Sequence, residues 1–167
     1  MDEISFREFD WERHSDIVKG FHEDIVTSSF LPRHMLFEDY LRLLRSSEEH
    51  GLPAYMRGLR QAHEERKDGM FVWEREGETV GWSWLKVHEN EFFREGIFGE
   101  VNEIYVVPRW RQKGFGRTMM EHALEWMRTR GVRTIRVETV ASNHAALKFY
   151  EEYGFKPNYM ILQKEIE

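Results

Sequence analysis

Arg111-Gln112-Lys113-Gly114-Phe115-Gly116 follows the apolar run Ile104-Tyr105-Val106-Val107-Pro108. After it, Met119, Met120, Ala123, Leu124, Trp126 and Met127 recur at helical spacing. A strand, a glycine turn and a helix in that order aim unpaired backbone N–H groups, and the positive helix end, at one point in space. Glycine lets a ligand approach the main chain because no Cβ stands in the way. From Arg109 to Arg117 the chain carries Arg109, Arg111, Lys113 and Arg117 and no acid, although its formal net charge is −6. Such a cationic nest suits the cradling of a pyrophosphate. A tight turn with solvated cations satisfies the same pattern. The run is not a G-x-x-x-x-G-K-[ST] loop, and Met119 replaces the third glycine of a dinucleotide loop.

A second block lies downstream: Val137-Glu138-Thr139-Val140-Ala141-Ser142-Asn143, then Ala146, Phe149-Tyr150 and Tyr153-Gly154-Phe155. The two blocks together resemble the GCN5-related N-acetyltransferase (GNAT) family over about Gly99 to Pro157, with weaker similarity back to about Met70. The resemblance implies acetyl-CoA as cosubstrate and a mixed α/β sheet, mostly antiparallel. In that sheet the strands ending at Val107 and Thr139 splay apart, leaving a V-shaped slot for the pantetheine arm. It also implies cofactor contacts from Tyr105, Asn143 and Phe149, and backbone pairing of the pantetheine amides with Val106 and Val107. Main-chain N–H groups of Gln112, Lys113, Gly114, Phe115, Gly116 and Arg117 would hold the pyrophosphate, with charge added by Arg111 and Lys113. Asn143 is equally apt as a helix N-cap, and Phe149 as a packing residue.

Forming an amide from a thioester needs a neutral amine, a positioned carbonyl and a protonated leaving thiolate. A lysine-like amine, with a pKa of about 10.4, arrives charged at neutral pH and must lose a proton. Glu103 is the first candidate base, acting directly or through a water. Strand alternation places Val101, Glu103 and Tyr105 on one face and Asn102, Ile104 and Val106 on the other. Glu103 could equally be a structural carboxylate; Glu100 and His88 are the reserves. The resemblance sets Tyr150 beside the cofactor sulfur as general acid. A CoA thiol, with a pKa of about 8.5, lies below a phenol at about 10, so hydrogen bonding to developing charge is the larger part of that role. The chain has no cysteine, so the amine would attack directly rather than through an acyl-enzyme.

Composition sets outer bounds. A chain of 167 residues, 41% hydrophobic and 14% aromatic, fits one ordered domain. Its negative charge argues against nucleic-acid partners. The absence of a cationic-apolar leader or a long apolar run argues against a membrane and for a cytoplasmic location. Histidines show no metal-ligand spacing, and His14, His22, His34, His50 and His63 are expected at the surface. From Glu89 to Glu103 the acids Glu89, Glu91, Glu95, Glu100 and Glu103 face Arg94 alone. If they overhang the slot they favour a cationic acceptor, a small-molecule amine or a peptide amine; otherwise they are a solvated loop.

The elements that must position these groups follow from periodicity. A strand is expected at Glu3–Glu8 and helices at Trp11–Val26, His34–Ser46 and Ala54–Lys67, one helix more than the family commonly has before its second strand. Strands Met70–Glu74 and Thr79–Val87 flank a turn at Arg75–Glu78, with Trp82 and Trp84 on one face. An acidic loop, His88–Gly99, precedes strand Glu100–Val107 and helix Gly114–Arg130, which stops at Gly131. Strand Thr134–Thr139, helix Asn143–Tyr153 and a last strand at about Asn158–Ile166 complete the pattern. Phe30, His34, Phe37 and Tyr40 would wall the acceptor side. The short C-terminal segment leaves a sheet edge that a second copy, in a homodimer, could cover. Competing readings are a CoA-binding sensor or interaction module without turnover, and a nucleotide-binding protein using the same glycine loop.

Overall fold

The computed structural model describes residues 4–29, 35–90, 96–158, 161, 162 and 164. A short strand β1 (Ser5–Glu8) leads into three helices, α1 (Trp11–Ser29), α2 (Phe37–Ser46) and α3 (Leu52–Glu65). Next come β2 (Gly69–Arg75), β3 (Glu78–Asn90), β4 (Gly96–Val106), α4 (Phe115–Arg128), β5 (Thr134–Val137) and α5 (His144–Glu152). The strands form one five-stranded sheet in sequence order. β1 to β4 pair antiparallel and β5 runs parallel to β4, the mixed sheet expected.

Alternating side chains load both faces of this sheet. On one face Val18 and Phe21 of α1 and Leu59 of α3 cover Val72, Trp82, Trp84 and Tyr105. On the other, Met119, Met120, Ala123 and Met127 of α4 cover Trp73, Val80, Leu85 and Val101. The β2–β3 turn takes positive φ at Glu76 (52°) and Gly77 (78°), the mirror-image turn whose twist matches the flanking strands. α4 stops as expected. The Val132 N–H donates to Met127 O (3.2 Å) and the Gly131 N–H to Arg128 O (3.1 Å), with Gly131 at φ 75°, a Schellman closure.

Several expectations change. Both described ends of the segment expected as an acidic loop are strand: β3 runs to Asn90, β4 starts at Gly96, and those two residues pair. Cross-strand contacts support the extension. The His88 ring stacks on Phe98 with centroids 4.8 Å apart, and its Nε2 lies 2.6 Å from Glu100 Oε2. α1 continues to Ser29 rather than Val26. α3 starts at Leu52, ahead of the expected Ala54, because Pro53 sits in the first turn, where no N–H is needed. α2 begins at Phe37, and of its apolar stripe Leu44 is buried while Leu43 is exposed, as is Leu36 just before it. β5 ends at Val137, short of Thr139. Glu3, Phe30, His34 and Glu91–Glu95 lie outside the described residues, as does much of the expected last strand; Asn158, Ile161, Leu162 and Lys164 carry no strand. No helix among the described residues is long and apolar enough to cross a membrane.

Candidate active site

Between β4 and α4 the chain makes one 3₁₀ turn at Pro108–Trp110 and then the glycine loop. Gln112 takes φ 59° and Gly114 φ 89°. A left-handed glutamine is costly backbone, of the kind found where surroundings hold a loop for a purpose. Gly114 is the N-cap of α4 and has no side chain to cap it, and the first helical bond runs from the Thr118 N–H to Gly114 O (3.1 Å). The N–H groups of Phe115, Gly116 and Arg117 therefore have no partner within the helix. Gly116 is different from Gly114, because its φ is not positive and an added Cβ would make only ordinary contact, 3.8 Å from Phe149 and 3.9 Å from Val106. The fold does not require glycine there; close approach by a ligand would.

The loop's cations are partly engaged. Arg109 pairs with Glu78, and Arg117 with Glu152 at 3.3 Å. The ammonium of Lys113 sits 4.5 Å above the Trp110 ring. Arg111 turns back along β4, its Nε donating to Val106 O (2.9 Å) and its guanidinium lying over the Tyr105 ring. Its charge therefore points toward the sheet rather than the loop amides.

Beside the loop, the sheet opens. β4 and β5 pair from Phe98↔Thr134 to Val101↔Val137 and no further, while β4 continues to Val106. At that point the β3–β4 register shifts, with Leu85 opposite Val101 but Trp84 opposite Glu103, so Asn102 is an extra, bulged residue. The bulge corrects the expected alternation. Val101 packs with Ile104 and Val106 on the α4 side, whereas Glu103 and Tyr105 face α1 and α3. The expected backbone pairing narrows too. The Val107 N–H donates to Val80 O (3.0 Å) and Val107 O accepts from the Trp110 N–H (2.8 Å). This leaves Val106 as the residue turned toward the gap.

α5 closes the α4 side of this opening. Asn143 caps it, with Oδ1 accepting from the Ala146 N–H at 3.1 Å, as the sequence predicts. At the other end the Phe155 N–H donates to Tyr150 O (3.1 Å) and the Gly154 N–H to Glu151 O (2.9 Å), with Gly154 at φ 81°. The Tyr150 and Phe155 rings meet edge to face at 5.8 Å. The Gly-Phe pair is thus a Schellman closure whose apolar contact fixes Tyr150. Burial pushes the Tyr150 phenol up to about 12, so it stays protonated at neutral pH.

On the opposite face Glu103, 9% exposed, is held by three elements. Tyr55 of α3 and the Trp82 indole of β3 donate to Oε2 at 2.9 and 2.8 Å. His22 of α1 places Nδ1 2.7 Å from Oε1. The His22 ring stacks on Tyr55 with centroids 3.5 Å apart and planes 8° from parallel. Burial, then the Glu103 charge, pushes the Tyr55 phenol well above its ordinary range, which keeps it a donor. His22, expected at the surface, is the group that pattern reading missed. No local signal marks it, since its partner lies 81 positions away. His14, likewise expected at the surface, is buried, with Nδ1 accepting from the Asp10 N–H at 2.9 Å at the start of α1.

A neighbouring cavity of about 350 Å³ is lined by Asp24, Ser28, Phe37, Tyr105, Pro108 and Arg111 among others. The Tyr105 hydroxyl donates to Asp24 Oδ2 at 2.7 Å, and burial together with that bond raises its pKa. Phe37 lines this cavity, and Tyr40 is not among its lining residues. The reserve groups Glu100 and His88 bond each other farther along the hairpin. Among the described residues, no group of three or more His, Cys, Asp or Glu could hold a metal ion.

The model of the acetyltransferase (GNAT) family matches residues 33–155. The mycothiol acetyltransferase of Thermobispora bispora is 38% identical over 90 residues, which are 52% of this chain and 30% of that protein. The match therefore spans less than a third of that relative's length. A GCN5-related N-acetyltransferase from Ralstonia eutropha JMP134 shares the fold with a TM-score of 0.77 at 15% identity, over 98% of this chain and 99% of that one. A predicted acetyltransferase with acetyl-CoA from Clostridium acetobutylicum gives a TM-score of 0.71 at 13% identity, over 98% and 96%.

Proposed function

We propose, because this chain belongs to the acetyltransferase (GNAT) family, that it transfers the acetyl group of acetyl-CoA to a primary amine by direct attack. One observation carries the reading. The amides of Phe115 to Arg117, unpartnered among the described residues, border the opening where β4 leaves β5, and a polar cluster centred on Glu103 lies on the facing side of the sheet.

In this reading the diphosphate rests on the amides from Gln112 to Arg117 and on the α4 dipole, with Gly116 leaving room for it. The pantetheine arm lies in the gap against Val106 and the neighbouring surface of Phe149 and Asn143, and it displaces the Arg111 side chain from Val106 O. The acceptor enters from the α1–α2 side, past Asp24 and Tyr105. An acid in that cavity suits a cationic amine. The Glu103 cluster removes the amine's proton, and the Tyr150 hydroxyl hydrogen-bonds the departing sulfur. With its pKa pushed up to about 12, Tyr150 is a weak acid toward a thiolate at about 8.5. Its contribution is stabilisation of developing charge more than full proton transfer.

Calorimetry with acetyl-CoA, desulfo-CoA and ATP tests the cradle. The expected result is uptake of both CoA compounds at micromolar levels, and binding of ATP alone would refute the assignment. Free-thiol release from acetyl-CoA with a panel of amines then separates an enzyme from a CoA-binding sensor, which would take up the carrier without turnover.

A further inference from the structure

We propose that His22 is the group that takes the proton from the attacking amine, and that Glu103 orients it. This assignment rests on the acyl-transfer reading and divides the work within its basic cluster.

The hydrogen bonds of Glu103 point there. Oε2 accepts from the Trp82 indole and the Tyr55 hydroxyl. An indole N–H can only donate, so a proton arriving on Oε2 would have to displace it. Oε1 faces His22 Nδ1 at 2.7 Å. A carboxylate only accepts, so the neutral imidazole must carry its hydrogen on Nδ1. The lone pair is then on Nε2. Among the described residues Nε2 has no hydrogen-bond partner, and it is not among the buried side-chain atoms without one, so it is open to solvent. The His22 side chain is 19% exposed against 8% for Glu103. Stacking on Tyr55 fixes the ring plane. The charged or titratable groups described against His22 are Glu103 from β4 and Tyr55 from α3. Glu103 accepts the Nδ1 hydrogen, and Tyr55 is spent as a donor to the same carboxylate. This is a carboxylate-oriented imidazole with a free basic nitrogen, built from a helix, a strand and a packed tyrosine.

The step balances. The ammonium form of the acceptor gives one proton to Nε2, directly or through a water. The neutral amine attacks the thioester carbonyl carbon, the C–N bond forms and the C–S bond breaks. The second amine proton ends on the sulfur as free thiol. The imidazolium returns its proton to solvent and Nε2 is restored.

The test combines tautomer and kinetics. Nitrogen NMR of the ¹⁵N-histidine-labelled protein should show neutral His22 with its proton on Nδ1; a proton on Nε2 overturns the assignment. Thiol release from acetyl-CoA is followed with spermidine, lysine and kanamycin, and the most active amine is used for variants. His22→Gln should lower kcat/KM for that amine about 100-fold at pH 7, remove the acidic limb of its pH profile, and leave the KM for acetyl-CoA and the thermal midpoint near wild type. Added imidazole should restore part of the activity of His22→Ala, which a packing role would not predict. A His22→Gln profile that keeps the wild-type limb refutes the inference alone. Wild-type protein that binds acetyl-CoA but releases no thiol with any of these amines overturns the acyl-transfer reading and this assignment together.

Discussion

The glycine loop and the Glu103 cluster face each other across one sheet and are built by opposite means. The loop is local: Arg111 to Arg117 are contiguous, and what they offer is backbone N–H groups that any chain with this turn and helix would present. The cluster is assembled from α1, α3, β3 and β4 and consists of side chains. A local site tolerates change elsewhere in the fold. The assembled site depends on the packing of every element that supplies it.

That contrast is open to attack. Glu103→Leu should have the largest effect, because it leaves the Trp82 N–H and Tyr55 O–H buried without an acceptor. The expected loss is about 2–5 kcal/mol of unfolding free energy, measured by denaturant titration; an unchanged midpoint would show that the cluster is not formed. Gly116→Ala should act on binding alone. Affinity for acetyl-CoA should fall about 100-fold, or about 2.7 kcal/mol, while stability holds or rises by up to about 1 kcal/mol, since alanine suits a helix better. Equal affinity would remove the close-approach argument for this glycine.

Tyr150→Phe should slow kcat about tenfold, or about 1.4 kcal/mol, with acetyl-CoA affinity retained. Because burial holds the phenol up to about 12, no tyrosine limb should appear in the rate profile at neutral or mildly alkaline pH. An unaltered kcat would reduce Tyr150 to a packing residue. The smallest effect concerns pH and stability. Burial lowers the pKa of His14 and of His122, which packs against Phe6, Phe71 and Trp73. Both are held neutral in the fold, so the unfolded chain binds protons first as pH falls. Stability is therefore full above about pH 6.5 and is lost below it as pH drops toward the lowered values. Denaturant midpoints from pH 7.5 to 5 should show the loss, and His122→Phe should lessen it; a flat profile in the wild type would contradict the burial argument.

Legibility followed the same division. The glycine turn, the α4 stop at Gly131 and the Asn143 cap were readable because each depends on neighbours a few residues apart. The strand ends at His88–Asn90 and Gly96–Gly99 were not. Glutamate, asparagine and glycine disfavour strands, and cross-strand pairing overrode that preference. The bulge at Asn102 was hidden for a subtler reason. Burial keeps alternating along β4 through Val101, Glu103 and Tyr105, so the reversal of faces leaves no mark in the pattern. His22 stayed invisible because one histidine on a helix face reads alike whether it meets water or a carboxylate.

By itself the chain determined a strand, a glycine turn and a helix whose amides converge, together with the caps that end its helices, since hydrogen bonds over three to five residues need no distant partner. Only the tertiary structure decided which face Glu103 occupies, that β4 leaves β5 at Val101, and that His22 reaches Glu103. Those outcomes turn on register and on contacts between segments up to 81 positions apart, and packing of whole elements selects them.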